Sequence, residues 1–340
     1  MGGKIMAVSR INEAGLNVNQ YGNRNVIING AMKVSQRGTS STGLGGASGY
    51  FTLDRYRVAM SGTAGRFTMS QAAVTDLPGF SNSMKCACTT ADTSVAASEL
   101  FILQQRIEGQ DLQQFAKGTS SAKEFTVSFY VKGNAAATYV CELYDDDNAR
   151  QVSKTFSVTT SWTRVEITYP ADTTGAFDDD NNKSLLLQIW LHAGSNYTSG
   201  TLNTSWAAQV AANRVVGIDS FFDSTSRTVE FTGLQLEVGD TATDFEHRTF
   251  ADELMRCARY YYKFPTPNSS SNYFGTQYGA NNGFVFMDHP CEMRANPTFS
   301  FSSANGSSQD AVSYGSKSRY AVYIDNTSPY VSGPVSDAEL

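Results

Sequence analysis

The chain has 340 residues, net charge −6 and a pI near 5.2, with no basic run. Those values argue against nucleic acid as the partner, because a phosphate-binding face gathers Lys and Arg. No stretch approaches the roughly 18 apolar residues that span a bilayer, and the start lacks a signal-peptide apolar core, so neither membrane insertion nor the usual secretion route is expected. Charged residues are only 17% of the chain, against roughly 25% in typical domains, while 17 Tyr and 20 Phe sit among abundant Ser, Thr, Asn and Gly. Flat rings suit pleated surfaces and Gly or Asn suits tight turns, so the composition is that of a folded β protein.

In chain order, residues 1–25 lack a sustained period and read as an arm that could dock on a larger assembly. Ser/Thr/Gly-rich loop follows at 34–49, and a strand-like segment with Phe51, Leu53, Tyr56 and Val58 opens the core at 50–60. Phe125, Val127, Phe129 and Val131 alternate with Thr126, Ser128, Tyr130 and Lys132, a period of two with one buried face. Similar runs cover 138–144, 151–158, 162–169, 184–192 and 227–238, separated by Asp/Asn turns at 145–148 and 178–182. Many short strands between such turns predict a sandwich or jelly roll. Asp111 to Ala116 fits a helical turn or a loop equally well.

The spacing of Phe250, Leu254, Cys257 and Tyr261 predicts a helix over 249–264, capped by Thr249 and stopped by Pro265. It joins a domain at 26–248 to a smaller β region at 265–340. On that helix the rings of Tyr260, Tyr261 and Tyr262 cannot all face one core, so the triplet is expected at a domain joint or an oligomer contact. If they lie on a strand, Cys86 and Cys88 point to the same face, where both fit as small buried hydrophobes. The odd number of cysteines, with no second close pair, fits reduced thiols and neither a disulfide framework nor a zinc site.

Three phrases carry a resemblance: Asn25 to Gly38 (NVIINGAMKVSQRG), Gly49 to Val58 (GYFTLDRYRV) and Gly233 to Lys263 (GLQLEVGDTATDFEHRTFADELMRCARYYYK). Val131 to Tyr144 and Asp172 to Trp206 continue it. Together they resemble a group of phage tail-fiber and appendage proteins whose middle domain is similar to a carbohydrate-binding-module jelly roll. The resemblance implies an all-β chain with a jelly-roll domain, a connecting helix and a smaller C-terminal β-sandwich domain that could form a receptor-binding tip. It further implies a virion location, a homotrimer, contact with other virion proteins through the N-terminal arm, and attachment to host surface polysaccharide. It carries no catalytic motif. A purely structural virion part and a glycan depolymerase are the competing readings.

No cluster of His, Cys, Asp and Glu has catalytic or zinc spacing, and His192, His247 and His289 are isolated. No catalytic residue is assigned and no cofactor is required. The carboxylate-rich turns at 145–148 and 178–182, with Asp240 and Asp244 in GDTATDFE, offer hard oxygens for a structural Ca²⁺, although such runs are also common as solvated turns. Sugar binding would use aromatic faces with flanking amides. Trp162 and Trp190 sit in strands that favour core packing, which leaves Trp206 as the platform candidate in the middle domain. In the C-terminal region Tyr273, Tyr278, Tyr314 and Tyr330 lie among Gly, Ser and Asn, a composition of adaptable binding loops.

Overall fold

The computed structural model, which describes residues 22–265, 272–279, 282–304, 316–324 and 330–340, places the alternating segments in two antiparallel sheets. The strands are β1 (Ser40–Leu44), β2 (Gly49–Tyr50), β3 (Arg57–Ser61), β4 (Arg66–Ala73), β5 (Asn82–Thr90), β6 (Leu100–Glu108) and β7 (Phe125–Gly133). After them come β8 (Ala137–Asp145), β9 (Arg150–Val158), β10 (Thr163–Tyr169), β11 (Lys183–Ala193), β12 (Ala207–Ala208) and β13 (Thr228–Val238). One sheet has the order β1-β4-β5-β13-β7-β10 and the other β12-β9-β8-β11-β6-β3-β2. The result is an all-β sandwich of jelly-roll type. The seven-stranded sheet ends in two-residue strands, which leave little exposed edge for another chain to pair with.

The inner faces carry the residues that the period of two selects. Phe125, Val127, Phe129 and Val131 of β7 meet Tyr139, Cys141 and Leu143 of β8 and Leu185, Leu187, Ile189 and Leu191 of β11 in one core. Each such buried side chain is worth about 1.5–3 kcal/mol. Cys86 and Cys88 sit together in that core on β5.

One expectation is corrected. The segment 50–60 is two strands around a turn, with Arg55 at φ 72° and its side chain buried. Strands β4, β5 and β6, which the period did not single out, supply much of both sheets. The segment 111–116, which the sequence fits equally to a helical turn or a loop, takes part in two short 3₁₀ turns, Gly109–Asp111 and Gln113–Phe115.

After the sandwich, Thr249 caps a helix by accepting a hydrogen bond from Asp252 N (3.2 Å). Besides the one-turn α1 (Ser195–Thr198), this helix is α2 (Phe250–Ala258), six residues shorter at its end than the spacing predicts. The tyrosines leave it because they have better partners outside. Arg55 lies 3.4 Å over the Tyr260 ring and Arg37 lies 3.6 Å over Tyr261. Tyr262 turns the other way, to Phe264 at 4.7 Å between centroids.

The remaining strands are β14 (Tyr261–Lys263), β15 (Asn272–Phe274), β16 (Thr276–Gly279), β17 (Asn282–Asp288) and β18 (Thr298–Ser300), then β19 (Ser303–Ala304), β20 (Arg319–Ile324), β21 (Tyr330–Ser332) and β22 (Val335–Asp337). They form three small sheets, β14-β22-β18, β15-β21-β19 and β16-β17-β20, over a core of Phe264, Val285, Met287, Val322 and Val331. The tyrosine triplet therefore bridges this core and the sandwich.

Candidate functional site

In β11 the core takes Leu185, Leu187, Ile189 and Leu191, so the alternate residues Leu186, Gln188 and Trp190 point away from the sandwich interior, while a bulge after Trp190 sets His192 opposite Phe101 and against the Phe222 ring. Register then builds three rows across the outer face. Tyr144, Leu186 and Arg106 make the first. Glu142, Gln188, Gln104 and Arg57 make the second, with Tyr50 next to Arg57. Val140, Trp190, Ile102 and Ala59 make the third.

The third row is covered. Val215 packs on Trp190, and Tyr197 of α1 and Ile218 pack against the same cluster. From that cover Arg214 reaches down to the second row, giving Glu142 two hydrogen bonds (2.9 and 2.7 Å) while Trp190 Nε1 gives it a third (2.8 Å). Burial works against the Arg214 charge, but Glu142 beside it more than offsets this and holds its pKa above the usual value. The guanidinium also stands 5.2 Å from the Tyr144 ring. Tyr144 is half-buried, and its hydroxyl pKa is raised by burial and by Asp146.

At the other end, Gln104 Oε1 accepts from Arg57 Nη1 (3.3 Å) and Arg106 Nε (2.9 Å). The arrangement is a strip with a buried polar row, Glu142, Gln188 and Gln104, at its middle, half-buried Tyr144 at one end and half-buried Arg57 and Arg106 at the other. The end groups can hydrogen-bond sugar hydroxyls and stack one pyranose face, held in place by the row beneath. Glycoside cleavage needs two carboxyl groups about 5–9.5 Å apart across the scissile bond. The three rows hold a single carboxylate, Glu142, already engaged.

The residues expected from the sequence do not gather here. Trp206 packs half-buried against the sandwich core near Phe125, and its Nε1 donates to Pro170 O (2.9 Å). Tyr273 and Tyr330 lie on paired strands, but the register sets Tyr273 opposite Val331 and Tyr330 opposite Phe274, so their rings point to opposite faces. Tyr278 lies in β16 with its side chain outside the described residues, and Tyr314 lies outside them altogether, as do residues 1–21 of the expected arm. Trp190 is buried as expected, though in the outer cluster. Trp162 is not in the core: its Nε1 donates to exposed Asp76 (2.8 Å).

The calcium candidates are likewise apart. Asp240 Oδ1 accepts from Thr241 and its main-chain oxygen from Thr168, while Asp244 gives its main-chain oxygen to Arg24. Among the described residues no three His, Cys, Asp or Glu side chains converge as a metal site. The turn at 145–148 instead holds an ammonium. Lys117 Nζ, fully buried, donates to Asp145 Oδ2 (2.5 Å), Thr174 O (2.9 Å) and Gly175 O (2.7 Å) and lies 3.1 Å from Asp172.

The strip itself was missed. Its signal was available: Gln104, Arg106 and Gln188 interrupt the apolar runs LFILQQRIE and KSLLLQIWLHA at alternate positions.

No family model matches the chain, and no curated protein matches it. Among solved structures it is similar to a family 30 carbohydrate-binding module (15% identity, 65% of this chain and 96% of that one, TM-score 0.30). It is also similar to a family 11 carbohydrate-binding module of a Clostridium thermocellum cellulosomal cellulase (12%, 60% and 98%, TM-score 0.29). A third is the enzymatically active domain of bacteriophage CBA120 tailspike protein 4 (9%, 63% of this chain, TM-score 0.33), of which the match spans 21%.

Proposed function

We propose that this chain is a recognition protein that binds glycan without cleaving it, on the outer face of its seven-stranded sheet. The observation that carries the reading is the pair of half-buried ends, Tyr144 on one side and Arg57 with Arg106 on the other, fixed by the buried registered row Glu142–Gln188–Gln104 between them. Guanidinium groups held in fixed positions can bond ring hydroxyls, and the half-buried tyrosine can cover an apolar sugar face. The wider role we propose is host-surface attachment by a phage appendage, assembled as a trimer. Its support is the resemblance carried by residues 25–38, 49–58 and 233–263.

The test is titration of the purified protein with neutral and acidic polysaccharides, repeated with Tyr144→Ala and Arg57→Ala. Saturable binding, weakened at least about tenfold by each substitution, is expected, since one lost stacking or charge-assisted contact is worth about 1–2 kcal/mol. No release of reducing ends should accompany it. Binding that both variants retain would remove the site from this face. Labelled protein that fails to bind host cells, or binds without competition from their polysaccharide, would refute the attachment role.

A further inference from the structure

A second surface carries rings that the core does not use. In β17 the small C-terminal core takes Val285 and Met287, so Phe284, Phe286 and Asp288 stand on the opposite face. Register sets Tyr323, Ala321 and Arg319 of β20 beside them in that order, and exposed Thr276 of β16 on the other side of Phe284. The rings are held relative to one another. Tyr323 lies 5.3 Å from Phe284 at 64°, and Phe284 lies 5.9 Å from Phe286 with the planes 24° from parallel. Phe286 is thus oriented by its neighbours and yet 55% exposed.

The next cross-strand pair is polar. Arg319 donates to both carboxylate oxygens of Asp288, through Nε to Oδ1 and through Nη2 to Oδ2 (3.0 Å), and both side chains are more than half exposed. The pair cancels its own charge. It still offers a ligand the remaining lone pairs of the carboxylate and the remaining N–H groups of the guanidinium.

A second copy of the chain or a ligand could cover such a face, and its size separates the two. With Phe286 little more than half exposed and Phe284 and Tyr323 half-buried, the three rings offer about 200 Å² of aromatic surface. A stable subunit contact takes about 800 Å² from each partner. Thr276 at one end and the ion pair at the other bound the patch. A small apolar area with donors and acceptors at its rim and no net charge suits a neutral sugar, whose ring face is C–H and whose hydroxyls both donate and accept. Building on the glycan reading, we propose that Phe286, set by Phe284 and Tyr323 and flanked by Asp288 and Arg319, is a second glycan site that takes a neutral pyranose, separate from the strip on the sandwich.

The experiment is affinity electrophoresis of the full chain through gels containing a mixed-linked β-glucan, a galactomannan or polygalacturonate. It is repeated with Phe286→Ala, Arg319→Gln, Tyr144→Ala and, as a control for an equally exposed phenylalanine elsewhere, Phe250→Ala. Melting temperatures check each fold, and sedimentation velocity checks each assembly state. At least one neutral polymer should retard the parent. Phe286→Ala should weaken that binding about fivefold or more, Arg319→Gln should weaken it as well, and Phe250→Ala should not. Neutral binding that both Phe286→Ala and Arg319→Gln retain overturns this inference, and its loss in Tyr144→Ala would leave the strip standing. Retardation by polygalacturonate alone overturns the neutral assignment, and a Phe286→Ala chain that sediments as a smaller species makes the face a contact between copies and overturns the site. A parent that none of the three polymers retards overturns both glycan readings.

Discussion

Replacing Lys117 by Met tests whether the buried ammonium holds one rim of the sandwich together. Lys117 and Asp145 are fully buried and Asp172 nearly so. Removing one partner of a buried ion pair costs about 3–5 kcal/mol, because the charge left behind stays desolvated. Here the substitution also strips a donor from Thr174 O and Gly175 O. Two features moderate the loss: Arg150 still holds Asp172 through two hydrogen bonds (2.7 and 3.0 Å), and Asn148 still donates to Asp145. We therefore expect a loss of about 3–4 kcal/mol at pH 7.5, or roughly 6–16 °C in melting temperature for a domain of this size.

The loss should depend on pH with a definite sign. Burial already raises the Asp145 pKa, against the opposing pull of Lys117, so removing the lysine raises it further. A carboxyl whose folded pKa exceeds its unfolded one stabilises the fold below the unfolded pKa, and that stabilisation is lost as pH rises through the folded value. The deficit of K117M should shrink between pH 7.5 and 4.5, and Lys117→Met/Asp145→Asn should recover much of it at pH 7.5. Denaturant titrations at the two pH values measure this. A deficit below about 1 kcal/mol at pH 7.5, or one that does not change with pH, would refute the reasoning.

Asp54 is buried, and burial lifts its pKa to about 6 in spite of hydrogen bonds from Gln36 and the charge of Arg37. By the same sign rule, stability should fall by on the order of 3 kcal/mol as pH rises from 4 to 7, and Asp54→Asn should flatten that slope in denaturant titrations. A Cβ at Gly30 would stand 2.2 Å from the main-chain oxygen of Leu234, next to the Leu234 N to Gly30 O hydrogen bond. Gly30→Ala should therefore cost at least about 2 kcal/mol, and a melting temperature within 2 °C of the parent would contradict it. Tyr260→Leu removes a guanidinium–ring contact worth about 2 kcal/mol in a buried setting and should speed limited proteolysis after residue 260 more than within the sandwich. Uniform cleavage rates would dissociate the triplet from the joint.

The sandwich was legible where one face of a strand is apolar and the other polar, as in β7, or where the run is long and apolar, as in β11. It was not legible in β4 (RFTMSQAA) and β5 (NSMKCACTT), where small and polar residues carry half of each strand and Cys and Met do the packing. The helix start followed from Thr249 and Asp252, whose effect is local. Its end did not, because Tyr260 and Tyr261 are drawn away by Arg55 and Arg37, which lie more than 200 residues earlier. The site was hidden for a related reason. A glutamine in an apolar run reads as an interruption until register places Gln104, Gln188 and Glu142 side by side.

The phrases that carry the resemblance meet one another in space, away from the strip. Asn29, at φ 62°, receives Glu253 Oε1 on its N–H (2.6 Å) and gives its side-chain amide to Val34 O and Asp54 O. Glu246 accepts from the N–H groups of Asn23 and Asn25, and Arg248 donates to Ile27 O (2.9 Å). Gln105 does the same work from the core face of β6, bonding both main-chain groups of Ile28 (2.7 and 2.9 Å). These residues satisfy main-chain groups that no sheet ladder reaches, so each is fixed by a partner far away in sequence, and a substitution there strands a buried donor or acceptor. Glu142 is fixed in the same way by Arg214 and Trp190, whereas the half-buried side chains of Tyr144 and Arg57 make no hydrogen bond to a main-chain group among the described residues. The buried middle of the strip is thus tied to the fold by hydrogen bonds, while Tyr144 and Arg57 at its ends can exchange, and with them ligand preference, at less cost in stability.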